Sequence, residues 1–153
     1  MNPNAERKDI CVVYFSSHNI YYPNTEEVFR KKIIEKDAYE WYSTRIEAGH
    51  KHIFIRDIQK QWYIQGINKR INSPEKLLDF LKKECEGYRI ITVGSSAGGY
   101  AAVLYGSQLG AEKVFSFNGQ YHGPYLRVVS REKVEAMSEC ASLQAILMAV
   151  RRR

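Results

Sequence analysis

Apolar and polar positions fall along the chain in blocks that predict strands separated by helices. Residues 10–15 read ICVVYF, a continuous apolar run rich in β-branched and aromatic types, which is typical of a strand buried on both faces. Similar short runs at residues 52–55, 89–93 and 113–117 predict three further strands. Because consecutive parallel strands need a crossover of helical length, this order predicts an α/β fold with a mostly parallel sheet flanked by helices.

Helix signals lie between the predicted strands. Asn24 or Thr25 can cap a helix that begins TEEVFRKKIIEK, and Ser73 with Pro74 marks the start of a second helix. A third helix is predicted at about residues 97–109. These stretches supply the crossovers that a parallel sheet requires.

Two further segments are predicted to be helical. Residues 37–46 form one of them, and residues 130–150 read as an amphipathic helix whose expected role is packing. No internal repeat or low-complexity linker interrupts the chain. We therefore interpret residues 1–153 as a single domain, with a core over about residues 10–120.

The composition agrees with a globular protein. The chain has 153 residues, of which 44% are hydrophobic and 26% charged, and no run approaches the roughly 20 apolar residues of a membrane span. Its first residues, MNPNAERKDI, carry charges where a secretory signal would place an apolar stretch. We therefore expect a cytoplasmic protein without a membrane span.

Charge and cysteine content bear on partners and cofactors. The net charge is +6, but the basic residues form short groups without a nucleic-acid fold signature, so a nucleic-acid partner is not expected. Cys11, Cys85 and Cys140 are odd in number and widely spaced, which argues against a disulfide framework or a zinc site and predicts buried free thiols. No residues stand at a spacing that would hold a metal or an organic cofactor, so neither is expected.

The sequence GSSAG at residues 94–98 fits the pattern G-x-S-x-G, in which a serine nucleophile occupies a sharp turn from strand to helix. Ser96 holds the nucleophile position, and Gly94 and Gly98 supply the space needed where the two backbones nearly touch. The N–H of Ala97 would stand beside a developing oxyanion. A tight turn with an idle serine is the alternative interpretation.

This motif is joined by the SSHN loop after residue 15, the segment HIFIRDIQKQWY and the strand ending FSFNGQ. Together they resemble the α/β-hydrolase superfamily over about residues 10–120, and in particular hydrolase-like proteins of bacterial surface-polysaccharide functions. The resemblance implies an esterase-like serine hydrolase or an acyltransferase that acts on an ester or an acylated saccharide. It also implies a second oxyanion N–H from the loop after the first strand, where Ser17 or Ser16 stands.

The C-terminal part departs from the superfamily, whose triad runs Ser, acid, His, with the last two after later strands. The chain is short beyond the fourth predicted strand, and His122 is the one histidine there, so it is the first candidate for the base. His18, on the loop after the first strand, is the alternative. Asp57 ends the second strand on the same side and is the candidate acid, although such an Asp more often caps a turn; Asn118 is the alternative acid position.

The sequence leaves other roles open. Trp62, Tyr63 and Tyr100 are candidates to line an acyl or sugar pocket, although packing is the ordinary role of aromatic residues. The shortened C-terminal part also fits an inactive, truncated hydrolase that serves as a binding module, and its open sheet edge would then favour a homodimer formed through the last helix. A basic surface that binds acidic glycans or nucleic acid is a third interpretation, based on the net charge.

Overall fold

Four parallel strands form the centre of the fold: β1 (Ile10–Phe15), β2 (Lys51–Ile55), β3 (Arg89–Ser95) and β4 (Lys113–Phe117). The computed structural model describes residues 1–119 and the backbone of Ile146–Ala149. β1 lies between β2 and β3, and β4 follows β3, so these strands run in the order β2-β1-β3-β4. The predicted α/β fold with a mostly parallel sheet is confirmed.

A fifth strand, β5 (Ile146–Ala149), pairs antiparallel with β4. For its four residues the helix predicted over residues 130–150 is wrong, while residues 130–145 and 150 lie outside the described part. The stretch ILMA is apolar throughout, and the edge of β4 offers N–H and C=O groups that a strand can pair and a helix cannot. The outer edge of β4 is therefore paired with β5 of the same chain. The expectation that this edge is open and could be covered by a second copy of the chain is wrong.

In the part of the chain that the structure describes, three α-helices occupy the connections between strands: α1 (Glu26–Phe29), α2 (Pro74–Glu84) and α3 (Ala97–Leu109). The N-caps predicted for the first two are confirmed, with Thr25 rather than Asn24 in that role for α1. Thr25 Oγ1 accepts a hydrogen bond from the N–H of Val28, Ser73 Oγ accepts one from the N–H of Lys76, and Gly110 ends α3 in the left-handed conformation. Among the described residues, no helix is both long and apolar enough to cross a membrane.

Beyond α1 the chain continues as a π-helical segment, Arg30–Glu35, and then as turns over residues 37–46. The helix predicted for residues 37–46 is wrong. The segment forms only local turns, in which the N–H of Tyr42 donates to the carbonyl of Tyr39 and the N–H of Thr44 to that of Trp41, and further hydrogen bonds tie it to the sheet. The indole Nε1–H of Trp41, for example, donates to the carbonyl of Phe15 at 3.2 Å. Residues 37–46 form what we call the strap, because the segment crosses the carboxyl end of β1.

One face of the sheet packs under α2 and α3. Cys11, Val13 and Phe15 point from β1 into this core and are fully buried. The Sγ of Cys11 lies 3.8 Å from that of Cys85 at the end of α2, and both thiols are free and buried, as predicted. Cys140 lies outside the described residues.

The opposite face of the sheet packs under the strap. Val12 and Tyr14 point to this side from β1, and Trp41 and Ile46 pack against them. Since both faces of β1 are covered, its uninterrupted apolar pattern is explained.

Candidate active site

The loops that follow the parallel strands meet at one edge of the sheet, which in open α/β sheets is where ligands bind. Ser17 and His18 follow β1, Asp57 follows β2, and Ser96 follows β3. Because β1 lies between β2 and β3, the loop that carries His18 lies between the loops that carry Asp57 and Ser96. The candidate site is therefore assembled from three adjacent strands.

Ser96 stands on a strained turn. Its backbone adopts φ 51° and ψ −121°, a conformation that L-residues rarely occupy and that costs on the order of 1–3 kcal/mol. The turn is fixed on both sides: the N–H of Ser96 donates to the carbonyl of Phe117 at 2.8 Å, and its carbonyl accepts from the N–H of Tyr100 at 3.0 Å. Strain of this kind persists only where the surrounding structure enforces it, and it is typical of functional sites.

The two glycines of the turn are sterically required. A Cβ on Gly94 would lie 2.0 Å from the carbonyl oxygen of Gly98, and a Cβ on Gly98 would lie 2.2 Å from that of Phe15. Only hydrogen fits at either position, since real Cβ atoms do not approach heavy atoms so closely. The spatial reason predicted for the two glycines is thus confirmed.

The hydroxyl of Ser96 is left unengaged by the turn. Ser96 is the N-cap of α3, yet its side chain forms no capping hydrogen bond, and the residue is partly exposed. Ala97 is the first residue of α3, so its N–H has no acceptor within the helix. The turn therefore leaves the hydroxyl of Ser96 without a bond in the cap and places the N–H of Ala97, a hydrogen-bond donor with no acceptor in the helix, on the next residue.

His18 and Asp57 face each other at the same edge. The imidazole Nε2 lies 3.8 Å from Asp57 Oδ2, which is too long for a hydrogen bond but close enough for an ion pair when the imidazole is protonated. Nε2 is buried and forms no hydrogen bond with the described residues, and the side chains are 24% and 2% exposed, respectively. A buried ring nitrogen without a partner calls for an explanation, and a role in proton transfer provides one.

Asp57 also caps the loop after β2. Its Oδ2 accepts hydrogen bonds from the N–H of Gln61 at 2.5 Å and of Tyr63 at 3.1 Å. The capped loop holds Lys60, Trp62 and Tyr63 at positive φ, which is rare for bulky residues. The turn-capping role considered from the sequence is therefore present, and the carboxylate still has acceptor sites for the imidazole.

Aromatic rings connect His18 to the first turn of α3. Trp62 meets the imidazole edge-on at a centroid distance of 5.4 Å and meets the ring of Tyr100 in the same way at 5.9 Å. Tyr100 also lines a cavity of about 410 Å³ between α2 and α3. Tyr63 is fully buried, and its hydroxyl donates to the main chain of the loop after β1 at 2.7 Å, so it belongs to the core.

The strap carries a residue of the site that the sequence did not reveal, Glu40. One of its carboxylate oxygens accepts a short hydrogen bond from the N–H of Ser17. The other accepts hydrogen bonds from the hydroxyl of Ser17 at 3.0 Å and from the hydroxyl of Ser95 at 3.4 Å. The N–H of Ser16 is used by the carbonyl of Ile55 at 2.9 Å. Of the two serines considered for the oxyanion hole, only Ser17 has an N–H directed at an anion, and that anion is Glu40.

The other predicted site residues do not join this group. His122 lies outside the described residues, so the structure does not place it. Asn118 follows β4 and is exposed, with φ 50°. His52, which the sequence did not single out, also lies elsewhere: its Nδ1 is 3.2 Å from the hydroxyl of Tyr14, on the face of the sheet.

Within the described residues, no group of three or more His, Cys, Asp or Glu side chains lies close enough together to hold a metal ion. In comparisons with known proteins, no family model matches the chain, and no curated protein or solved structure matches it. The chemistry of the site has therefore to be inferred from the geometry at the carboxyl edge of the sheet.

Proposed function

We propose that the protein is a serine hydrolase or acyltransferase in which Ser96 attacks the carbonyl of an ester. The strained backbone of Ser96 carries this proposal. A turn that merely joins β3 to α3 gains nothing from a serine at positive φ, because glycine adopts that conformation without the steric cost. A serine at the strained position supports a role for its hydroxyl.

The proposed reaction proceeds in two halves. The Oγ of Ser96 bonds to the carbonyl carbon while an imidazole takes its proton, and the N–H of Ala97 stabilises the oxyanion that forms. The bond to the alcohol then breaks, the alcohol takes the proton from the imidazole, and an acyl-enzyme remains. Water, or the hydroxyl of an acceptor, releases the acyl group by the same route. The resemblance to α/β-hydrolases adds an acylated saccharide as a candidate substrate.

His18 is the base that the described residues favour. It lies on the loop after β1, which adjoins the loop that carries Ser96, and its Nε2 faces Asp57, so Nδ1 is the nitrogen left to take the proton of Ser96. A carboxylate in this place orients an imidazole and stabilises the imidazolium that forms. His122, the base first expected from the sequence, is the rival.

Labelling with a fluorophosphonate probe tests the role of Ser96. We expect the wild-type protein to be labelled at Ser96, as located by peptide mass spectrometry, and Ser96→Ala to remain folded and unlabelled. Ser107→Ala is the matched control, because that hydroxyl donates to the carbonyl of Leu104 at the far end of α3. Folded wild-type protein that takes no label would overturn the proposal.

Two histidine variants separate the candidate bases. A general base contributes about 10² to 10⁴ in rate, so His18→Gln should slow labelling by at least about 10²-fold, while His122→Gln should leave it unchanged. His50→Gln is the control, because Nδ1 of that residue lies 2.9 Å from the carbonyl of Asn2, near the start of β2. If His122→Gln slows labelling and His18→Gln does not, then His122 is the base, and the role of Ser96 as nucleophile is unaffected.

A further inference from the structure

The carboxylate of Glu40 lies at the carboxyl ends of β1 and β3, against the residue that precedes Ser96. Three donors converge on its carboxylate: the N–H and hydroxyl of Ser17 at the end of β1, and the hydroxyl of Ser95 at the end of β3. Ser95 directly precedes Ser96, and β1 and β3 are neighbours. We call the three donor groups of Ser17 and Ser95 the cradle.

The cradle is built to hold a negative charge. Hydrogen bonds from a backbone N–H and from hydroxyls to an ionised oxygen are roughly twice as strong as bonds between neutral groups. Ser17 is 3% exposed, so water competes little for its N–H. No cation stands in the cradle: within the described part of the chain, the contacts of the carboxylate are with neutral donors.

The strap fixes Glu40 over the cradle. Its start is tied to the residue that follows β2, because Arg56 donates to the carbonyl of Ala38 at 2.9 Å and pairs with Asp37 at 2.7 Å. Next to Glu40, the indole of Trp41 donates to the carbonyl of Phe15 and its ring stacks on Phe117, at a centroid distance of 5.8 Å. Glu40 is thus placed by contacts on both sides of it rather than by chance orientation of a long side chain.

We propose that the cradle of Ser17 and Ser95 is an anion-binding site beside Ser96, which the carboxylate of Glu40 fills in the resting protein and the substrate oxyanion fills during reaction. The second half of this statement rests on the proposed function. An N–H carries one proton, so the N–H of Ser17 can serve Glu40 or the oxyanion but not both fully. Glu40 is then an internal competitor, and it must leave the cradle before the oxyanion can form there.

If the cradle binds anions, a small carboxylate added to the solution should be able to occupy it. When the side chain of Glu40 is removed, a small carboxylate such as acetate should enter the space and accept the same hydrogen bonds. Glu40→Ala is the test variant, and Glu47→Ala is the matched control, since that exposed glutamate lies seven residues further along. Glu40→Gln keeps the shape but loses the charge, and it serves in the labelling measurement below. Glu40→Ser, which also vacates the space, replaces Glu40→Ala if that variant fails to fold.

The first measurement is the thermal midpoint of each protein in sodium acetate and in sodium chloride at equal ionic strength. We expect acetate to raise the midpoint of Glu40→Ala saturably, with no such rise for the wild type or Glu47→Ala. Addition of Ser17→Ala should weaken the effect, because one donor is lost. A midpoint of Glu40→Ala that does not distinguish acetate from chloride would overturn the proposal, whatever Ser96 does.

The second measurement is the rate of fluorophosphonate labelling at Ser96. One oxyanion donor is worth about 10² to 10³ in rate, so Glu40→Ala should label at least about tenfold faster than the wild type, with Glu40→Gln between them and acetate slowing Glu40→Ala again. If wild-type Ser96 labels and Glu40→Ala labels no faster, the competition is disproved while the proposed function stands. If the folded wild type takes no label, the proposed function fails, and the acetate measurement alone decides whether the cradle binds anions.

Discussion

Gly98 lies against the main chain of Phe15, so that a Cβ on Gly98 would stand 2.2 Å from the carbonyl oxygen. Gly98→Ala should therefore push α3 away from β1, although alanine is the better helix former. We expect it to lower the free energy of unfolding, measured with urea, by about 1 to 3 kcal/mol. The shifted turn should also slow labelling of Ser96 by about 10²-fold, since small misplacements have such effects.

Gly87→Ala is the matched control for this prediction. A Cβ there meets nothing within 4 Å, so only the positive φ of 78° counts against it. Its labelling rate should equal that of the wild type. A wild-type labelling rate in Gly98→Ala would show that the close contact does not position Ser96.

Asp57 is expected to have two separable roles. Asp57→Ala leaves the N–H groups of Gln61 and Tyr63 without their acceptor and should cost about 2 to 4 kcal/mol of stability. Asp57→Asn keeps an acceptor but removes the charge beside His18, so it should retain most of the stability and still slow labelling at Ser96. Equal labelling by Asp57→Asn and the wild type would reduce Asp57 to a loop cap.

The strands and the Gly94–Gly98 turn are predictable because their signals are local. Each strand is a short apolar run, and a strand, two glycines and a helix are adjacent in sequence around Ser96. The strap is different. Its conformation depends on hydrogen bonds with the end of the sheet, such as that from the indole of Trp41 to the carbonyl of Phe15, and these are not visible in the local sequence. The strand β5 was missed for the same reason, since pairing with β4 is a non-local contact.

The composition of the site was harder to predict than its position. His18 and Asp57 lie 39 positions apart, and only the neighbouring arrangement of β1 and β2 brings them together. Glu40 carried no motif at all, because its importance comes from the donors of Ser17 and Ser95. Residues that are so far apart in the sequence and meet only in the folded sheet leave no periodic pattern in the sequence.

Stability should depend on His52 at mildly acidic pH. Burial lowers the pKa of this imidazole below its ordinary value of 6.5. The unfolded chain then takes up the proton first, so the contribution of His52 to stability is complete above about pH 6.5 and is lost as the pH falls below it. Urea unfolding between pH 7.5 and 5.0 should show a flatter decline for His52→Gln than for the wild type. His50→Gln is the control, and an unchanged slope in His52→Gln would contradict the expectation.

The thiols of Cys11 and Cys85 should be unreactive in the folded protein. Both side chains are buried, so a reagent cannot reach them, and the contact with Cys85 together with burial raises the pKa of Cys11, whose reactive form is the thiolate. In Cys140→Ser, which leaves this pair alone, Ellman's reagent should detect no thiol before denaturation and both after it. Rapid reaction of either thiol under conditions where the protein is folded would show that the core between β1 and α2 opens readily.

Trp41 should hold the strap in place through a single hydrogen bond. Trp41→Phe keeps an aromatic ring to stack on Phe117 but removes the indole N–H that donates to the carbonyl of Phe15 at 3.2 Å. We expect a stability loss of about 1 kcal/mol and, because Glu40 is then held less firmly over Ser17, faster labelling of Ser96 with the carboxylate still present. Tyr42→Phe, at the exposed neighbouring position, should change neither quantity. Loss of stability without faster labelling would mean that Trp41 anchors the fold but does not control access of the oxyanion to the N–H of Ser17.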